Sequence, residues 1–169
     1  MARYGMLINT KKCVGCYACR VACQMVNGLE SDEAFIKFDE MEQGVYPNVY
    51  AEVVPVQCMH CEDAPCEAVC PTHATYTTDS GVVLVDEERC IGCKYCYQAC
   101  PFGVPTYSSA AMDKCDCCTL GGTRPGNAPR CAEACKFGAL HFGTVDELLA
   151  QCPDAKVVEA STKPSFYLA

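Results

Sequence analysis

Cys90-Ile91-Gly92-Cys93-Lys94-Tyr95-Cys96-Tyr97-Gln98-Ala99-Cys100-Pro101 is the stretch that decides the fold of this chain. It spells C-x2-C-x2-C-x3-C-P, the spacing that holds cubane iron–sulfur clusters. Three thiolates at steps of three residues can wrap one face of a compact cube from a single tight loop. The fourth is expected at the start of a helix, pointing away from that cube. It then serves a second cube, so one run of this kind predicts a partner run elsewhere. Gly92 suits a backbone that turns sharply and passes close to inorganic sulfide. Pro101 stops regular structure directly after the last cysteine.

The same spacing recurs upstream at Cys13-Val-Gly-Cys16-Tyr-Ala-Cys19-Arg-Val-Ala-Cys23, where Gly15 matches Gly92 but Gln24 replaces the proline. A repeat of this quality implies duplicated architecture. The second group in chain order, Cys58-Met-His-Cys61-Glu-Asp-Ala-Pro-Cys66-Glu-Ala-Val-Cys70-Pro71, has two extra residues that include Pro65. The fourth is looser. Cys115-Asp-Cys117-Cys118 is followed, after a Gly/Pro-rich stretch over 119–130, by Cys131-Ala-Glu-Ala-Cys135. The end of this group, 131–139, aligns with 66–74 at the end of the second.

Eighteen cysteines in 169 residues would also suit a disulfide scaffold or zinc sites. A secreted framework wants a signal peptide, and residues 1–10 show no apolar run before Lys11-Lys12. Zinc prefers two well-separated cysteine pairs, whereas these cysteines come in fours. The spacing therefore selects iron–sulfur clusters. A net charge of −8 argues against nucleic acid. No apolar run approaches the roughly 20 residues that span a bilayer, so any membrane association must come through a partner.

Between the groups, residues 4–8 read as a strand, and 24–57 as an acidic interval that Phe35, Ile36 and Phe38 could pin to the body. Gly44-Val-Tyr-Pro47 reads as a turn before a β-rich stretch over 50–56, and 75–78 with 82–85 as strand–turn–strand. Residues 139–142 read as a closing strand. Thr144 and Glu147 stand in capping-box positions for a helix to Cys152. The remainder, with Pro153 and Pro164, is expected to be an extended tail docking on a partner.

Four groups in this order resemble the iron–sulfur subunits of molybdopterin oxidoreductases of the dimethyl sulfoxide reductase family. The resemblance covers roughly residues 1–143. It is carried by Cys-Val-Gly-Cys-Tyr-Ala-Cys, Gly-Val-Tyr-Pro before Val-Gln-Cys-Met-His-Cys-Glu-Asp-Ala-Pro-Cys, Cys-Ile-Gly-Cys-Lys-Tyr-Cys, and Lys-Cys-Asp-Cys-Cys. It implies an α+β fold of nested ferredoxin-like modules, with short strands, short helices and long cluster-binding loops. An outer module would span about 1–57 plus 108–143 and an inner one about 58–107, followed by the helix and tail of 144–169. It also implies four [4Fe–4S] clusters in a chain with nested ligand sets. These are Cys13, Cys16, Cys19 and Cys135; Cys23, Cys115, Cys118 and Cys131; Cys58, Cys61, Cys66 and Cys100; and Cys70, Cys90, Cys93 and Cys96. Cys117 is an extra thiol, and C-x2-C spacing favours Cys118 as the ligand. Lys136 stands where the family generally has proline, and Cys152 lies outside every group. With all sixteen thiolates supplied, His60 is expected in a supporting or surface role. Tyr17, Tyr95, Tyr97 and Tyr107 are expected to pack around the clusters.

The function this implies is non-catalytic electron transfer in anaerobic respiration. Electrons would pass between a large catalytic subunit carrying a molybdenum or tungsten bis-pterin cofactor and a quinone-linked membrane anchor or a soluble donor. The alternatives are a stand-alone polyferredoxin and, from another class, a structural zinc protein. Lacking its own signal, the subunit would be cytoplasmic or exported bound to a signal-bearing partner. The surplus thiols Cys117 and Cys152 favour the inside.

Overall fold

A computed structural model describes residues 3–107, 110–119 and 127–169. Strand β1 (Tyr4–Ile8) lies at the heart of a four-stranded sheet. It pairs antiparallel with β6 (Leu140–Thr144), in the register Tyr4↔Thr144 to Ile8↔Leu140, and parallel with β8 (Phe166–Leu168). A two-residue strand, β7 (Lys156–Val157), completes the sheet on β8. Met6, Leu7 and Ile8 are all buried, which explains their continuous apolar run: both faces of β1 are covered.

The tail departs from the sequence expectation. Residues 165–169 close the sheet instead of extending away from it, with Phe166 in the core and the Ala169 N–H on the Ile8 carbonyl. The reason lies in β1, whose second edge would otherwise leave buried backbone groups unpaired. Gly5 makes the approach feasible, since a Cβ there would lie 2.5 Å from the Ser165 carbonyl oxygen.

Two hairpins complete the β structure. Strands β2 (Lys37–Val45) and β3 (Asn48–Val56) pair over their whole length around a tip at Tyr46-Pro47. Their acidic half is exposed, while Phe35 and Ile36 at the root are buried, as their apolar character suggested. Strands β4 (Thr75–Thr77) and β5 (Val83–Val85) form the short hairpin read from the sequence.

The helices are short. Helix α1 (Ala18–Asn27) packs against α4 (Arg130–Ala134), and α2 (Pro65–Ala68) against α3 (Tyr95–Ala99). Three of the four closing cysteines stand just past the ends of helices rather than at helix starts. Cys100 and Cys135 directly follow α3 and α4, and Cys70 lies two residues beyond α2. The helix carries the third cysteine of its own group, and the fourth follows its C-terminal end. Cys23 differs because neither a proline nor an early left-handed residue follows it. There α1 runs on to Asn27, and Gln24 uses its amide to donate to the carbonyls of Glu30, Ser31 and Glu33.

Helix α5 (Val145–Gln151) begins with the expected capping box. Glu147 N–H donates to the Thr144 hydroxyl, and Thr144 N–H donates to the Glu147 carboxylate. The core interleaves Met6, Ile8, Phe35, Ile36, Met59, Leu140 and Phe166 with Cys19, Cys23, Cys61 and Cys131. Much of the interior is therefore thiol, and metal binding would supply folding free energy directly. The expected module boundary at 108 and most of the Gly/Pro-rich stretch, 120–126, lie outside the described residues.

Candidate metal centres

Each cysteine group is built on the same backbone turn. The residue before the second cysteine is left-handed in all four: Gly15 (φ 62°), His60 (φ 43°), Gly92 (φ 66°) and Cys117 (φ 56°). Cys117 thus occupies the place that glycine fills in two other groups. At Gly92 the backbone passes so close to the Ala110 carbonyl that a Cβ would collide with its oxygen. A second repeat follows the closing cysteines. His73, Gly103 and Gly138 are left-handed, and their N–H groups bond the carbonyls of Cys70, Cys100 and Cys135, three residues back. One residue later, the N–H groups of Ala74 and Ala139 donate to the Cys70 and Cys135 sulfurs, each at 3.2 Å. Lys136 is exposed, and the turn after Cys135 forms without proline.

The nested sets come together in space. Burial pushes the Cys19 thiol up to about 11, with Cys13, Cys135 and Cys16 adding to the push. Burial likewise takes Cys23 to about 12, helped by Cys115 and Cys118. Cys66 reaches about 12 through burial, with Cys58, Cys100 and Cys61 contributing and Lys114 opposing. Cys70, Cys90, Cys93 and Cys96 line one small cleft with Tyr107 and Met112. Cys118 therefore faces Cys23 and Cys115. Cys117 instead packs with Val82 and Leu84, close to His60.

These sets also stand in series. Cys131 feels Cys19 across the first junction, Cys58 feels Cys115 across the second, and the α2–α3 contact spans the third. Cys16 in the first expected set and Cys93 in the last are the two exposed cysteines.

The donor chemistry fits [4Fe–4S] clusters. All 18 cysteines are free thiols, and the nested sets supply four sulfurs each. Backbone N–H groups point at ligand sulfurs, including Met112 N–H to Cys90 at 3.3 Å, as negatively charged thiolates require. Pairing the buried thiols with metal would release their protons.

Two supports, Lys114 and the tail, were not foreseen from the sequence. Lys114 is buried, and its ammonium donates to the Val83 and Cys115 carbonyls. Burial lowers its pKa, but the charges of Cys58, Cys115, Cys66 and Cys117 outweigh that and raise it. Conversely, burial pushes Cys58 up, while the Lys114 charge opposes that push. The Tyr107 hydroxyl lies 3.0 Å from the Cys96 sulfur. Tyr95 and Tyr97 are exposed, and Tyr17 packs on Phe38. Finally, the tail braces the second group: Ser165 N–H donates to the Met59 carbonyl and its hydroxyl to that of His60, while Arg3 donates to both Ser165 and His60. Lys114 was visible within its motif, but its burial depends on β5, about thirty positions away.

His60 is buried rather than on the surface. Burial disfavours its imidazolium, whereas the Cys58 and Cys115 sulfurs favour it. The Val83 N–H nevertheless donates to Nδ1 at 3.1 Å, leaving no room for a proton there. The ring is therefore neutral with its proton on Nε2.

Family models described as 4Fe-4S dicluster domains match residues 12–74 and 49–145. The B subunit of the anaerobic dimethyl sulfoxide reductase of Escherichia coli is 37% identical, over 97% of this chain and 84% of its own length. The thiosulfate reductase electron transfer subunit PhsB of Salmonella typhi is 40% identical over 86% of this chain and 78% of that protein. Protein NrfC of E. coli is 38% identical, over 98% and 79% respectively. Among the described residues, no helix is long and apolar enough to cross a membrane.

Proposed function

The chain belongs to the 4Fe-4S dicluster family of electron-transfer subunits, and from that membership we propose that it relays single electrons through four [4Fe–4S] clusters. One end of the relay would face a molybdenum- or tungsten-pterin catalytic subunit. The other would face a quinone-linked membrane subunit or a soluble redox partner. What supports this reading is that cysteines of neighbouring proposed sets lie close to one another, with Cys16 of the first and Cys93 of the last exposed.

The ligand sets we propose are Cys13, Cys16, Cys19 and Cys135; Cys23, Cys115, Cys118 and Cys131; Cys58, Cys61, Cys66 and Cys100; and Cys70, Cys90, Cys93 and Cys96. When bound, each cluster accepts and returns one electron without rearranging bonds. The protein's part is to hold the sulfurs, shield the middle sets from water and set their electrostatics. Buried Lys114 compensates negative charge between the second and third sets. The N–H groups of Ala74, Ala139 and Met112 do the same, each for one sulfur. Catalysis belongs to the partner; this chain serves it as a conductor.

Native anaerobic isolation tests the assignment. We expect the chain to co-purify with a large molybdenum- or tungsten-containing subunit whose substrate oxidises the dithionite-reduced clusters. A well-behaved monomer carrying the same clusters would instead mark a stand-alone carrier and overturn the subunit reading.

A further inference from the structure

Gly15 and Gly92 occupy the left-handed position of the first and third groups, while the second and fourth place His60 and Cys117 there. A side chain at such φ values costs on the order of 1 kcal/mol or more that glycine would not. These two side chains also meet. A ring nitrogen of His60 and the sulfurs of Cys115 and Cys117 lie within 4.8 Å of one another. Cys117 N–H already donates to the Cys115 sulfur at 3.5 Å. His60 Nδ1 is taken by the Val83 N–H, and Nε2, which must carry the ring proton, is buried without a hydrogen-bond partner. The cleft around the pair is apolar, lined by Met6, Val82, Phe142 and Phe166.

We infer that Cys117 and His60 are positioning residues that raise the reduction potential of the cluster held by Cys115, by aiming an S–H and an Nε2–H at its sulfur. The inference rests on the ligand sets proposed above. A one-electron reduction adds negative charge that spreads onto the ligand sulfurs, and no proton moves. Hydrogen bonds to those sulfurs stabilise the reduced state more than the oxidised one, which raises the potential. In a buried, mostly apolar cleft such charge-assisted bonds are stronger than at a wet surface. The donors are matched to one cluster. The glycines of the first and third groups offer no side chain at the equivalent place, so the second cluster in the series becomes the favoured resting site for an electron. Cys117, surplus as a ligand, acquires a role through its thiol proton.

The test is an anaerobic redox titration followed by electron paramagnetic resonance on the intact complex, comparing wild type with Cys117→Ala, His60→Leu and His60→Gln. Iron content is measured alongside. We expect Cys117→Ala and His60→Leu to retain full iron and to lower the midpoint of one and the same signal. At the potential that half-reduces it in the wild type, the reduced-to-oxidised ratio should fall roughly tenfold per donor lost, equivalent to 59 mV for a one-electron couple. His60→Gln, which keeps an N–H donor, should retain most of the wild-type midpoint. An unmoved midpoint in Cys117→Ala overturns the inference, even if His60→Leu fails to assemble. So does loss of a cluster in Cys117→Ala, because Cys117 would then be a ligand. A wild type with fewer than four clusters would instead sink the functional reading on which the inference stands.

Discussion

Lys114 shows how one residue can act on two centres. Its ammonium is buried, fixed by the Val83 and Cys115 carbonyls, and its charge reaches Cys58 and Cys66 in one set and Cys115 in the next. At protein-like dielectric, a unit charge a few ångströms away is worth on the order of 1 kcal/mol or more. Lys114→Met keeps the length and removes the charge. Redox titration of that variant should show two midpoints lowered, each with a reduced-to-oxidised ratio at least roughly tenfold smaller, while two stay in place. Uniform movement of all four would contradict a local effect. Spacing in the sequence favours Cys118 over Cys117 as the ligand. It could not reveal that Cys117 sits at a left-handed position facing His60, because that contact joins residues far apart in the chain.

Among the elements, helix length turns on the residues just after the closing cysteine. Proline or an early left-handed residue ends α2, α3 and α4 within about a turn, whereas Gln24 lets α1 continue and ties the following loop to it. Helix α5 holds no cluster ligand and offers a cleaner test of packing. Its Leu148 is fully buried, and its start is fixed by the Thr144–Glu147 capping box. Leu148→Ala should cost about 2–5 kcal/mol, and Thr144→Ala about 1 kcal/mol. Anaerobic thermal melting should rank the first well below the second with iron content unchanged; equal melting points would refute this view of α5. The capping box, the short hairpin and a turn ending at Pro47 were legible because each rests on neighbours in sequence, although Gly44 and Val45 fall in β2 and the turn is Tyr46-Pro47 alone. The nine-residue length of β2 was not, since an exposed acidic strand carries little apolar alternation.

For the molecule as a whole, both ends of the chain meet in one sheet, and the C-terminal residues serve the metal-binding loops. Ser165 bonds the backbone of Met59 and His60, and the N–H groups of Glu62 and Asp63 bond the carbonyls of Lys163 and Thr162. The sequence suggested a docking tail because prolines and a short apolar end give no strand-length pattern. The pairing of β8 with β1 becomes visible only in three dimensions. Truncation after Pro164 should therefore lower cluster content and melting temperature in this chain, as iron analysis would register. Full cluster retention with only partner binding lost would restore the docking role. The nested pairing of the four cysteine groups is the proposal that the resemblance supports, and the groups themselves were legible because their spacing is local. The electrostatics between the sets was not, because Lys114 and His60 gain their roles from burial. Whether the chain conducts through four cubes is decided by anaerobic iron and acid-labile sulfide analysis of the intact protein. Four cubes predict about 16 iron and 16 sulfide per chain; a value near 8 of each would contradict the relay.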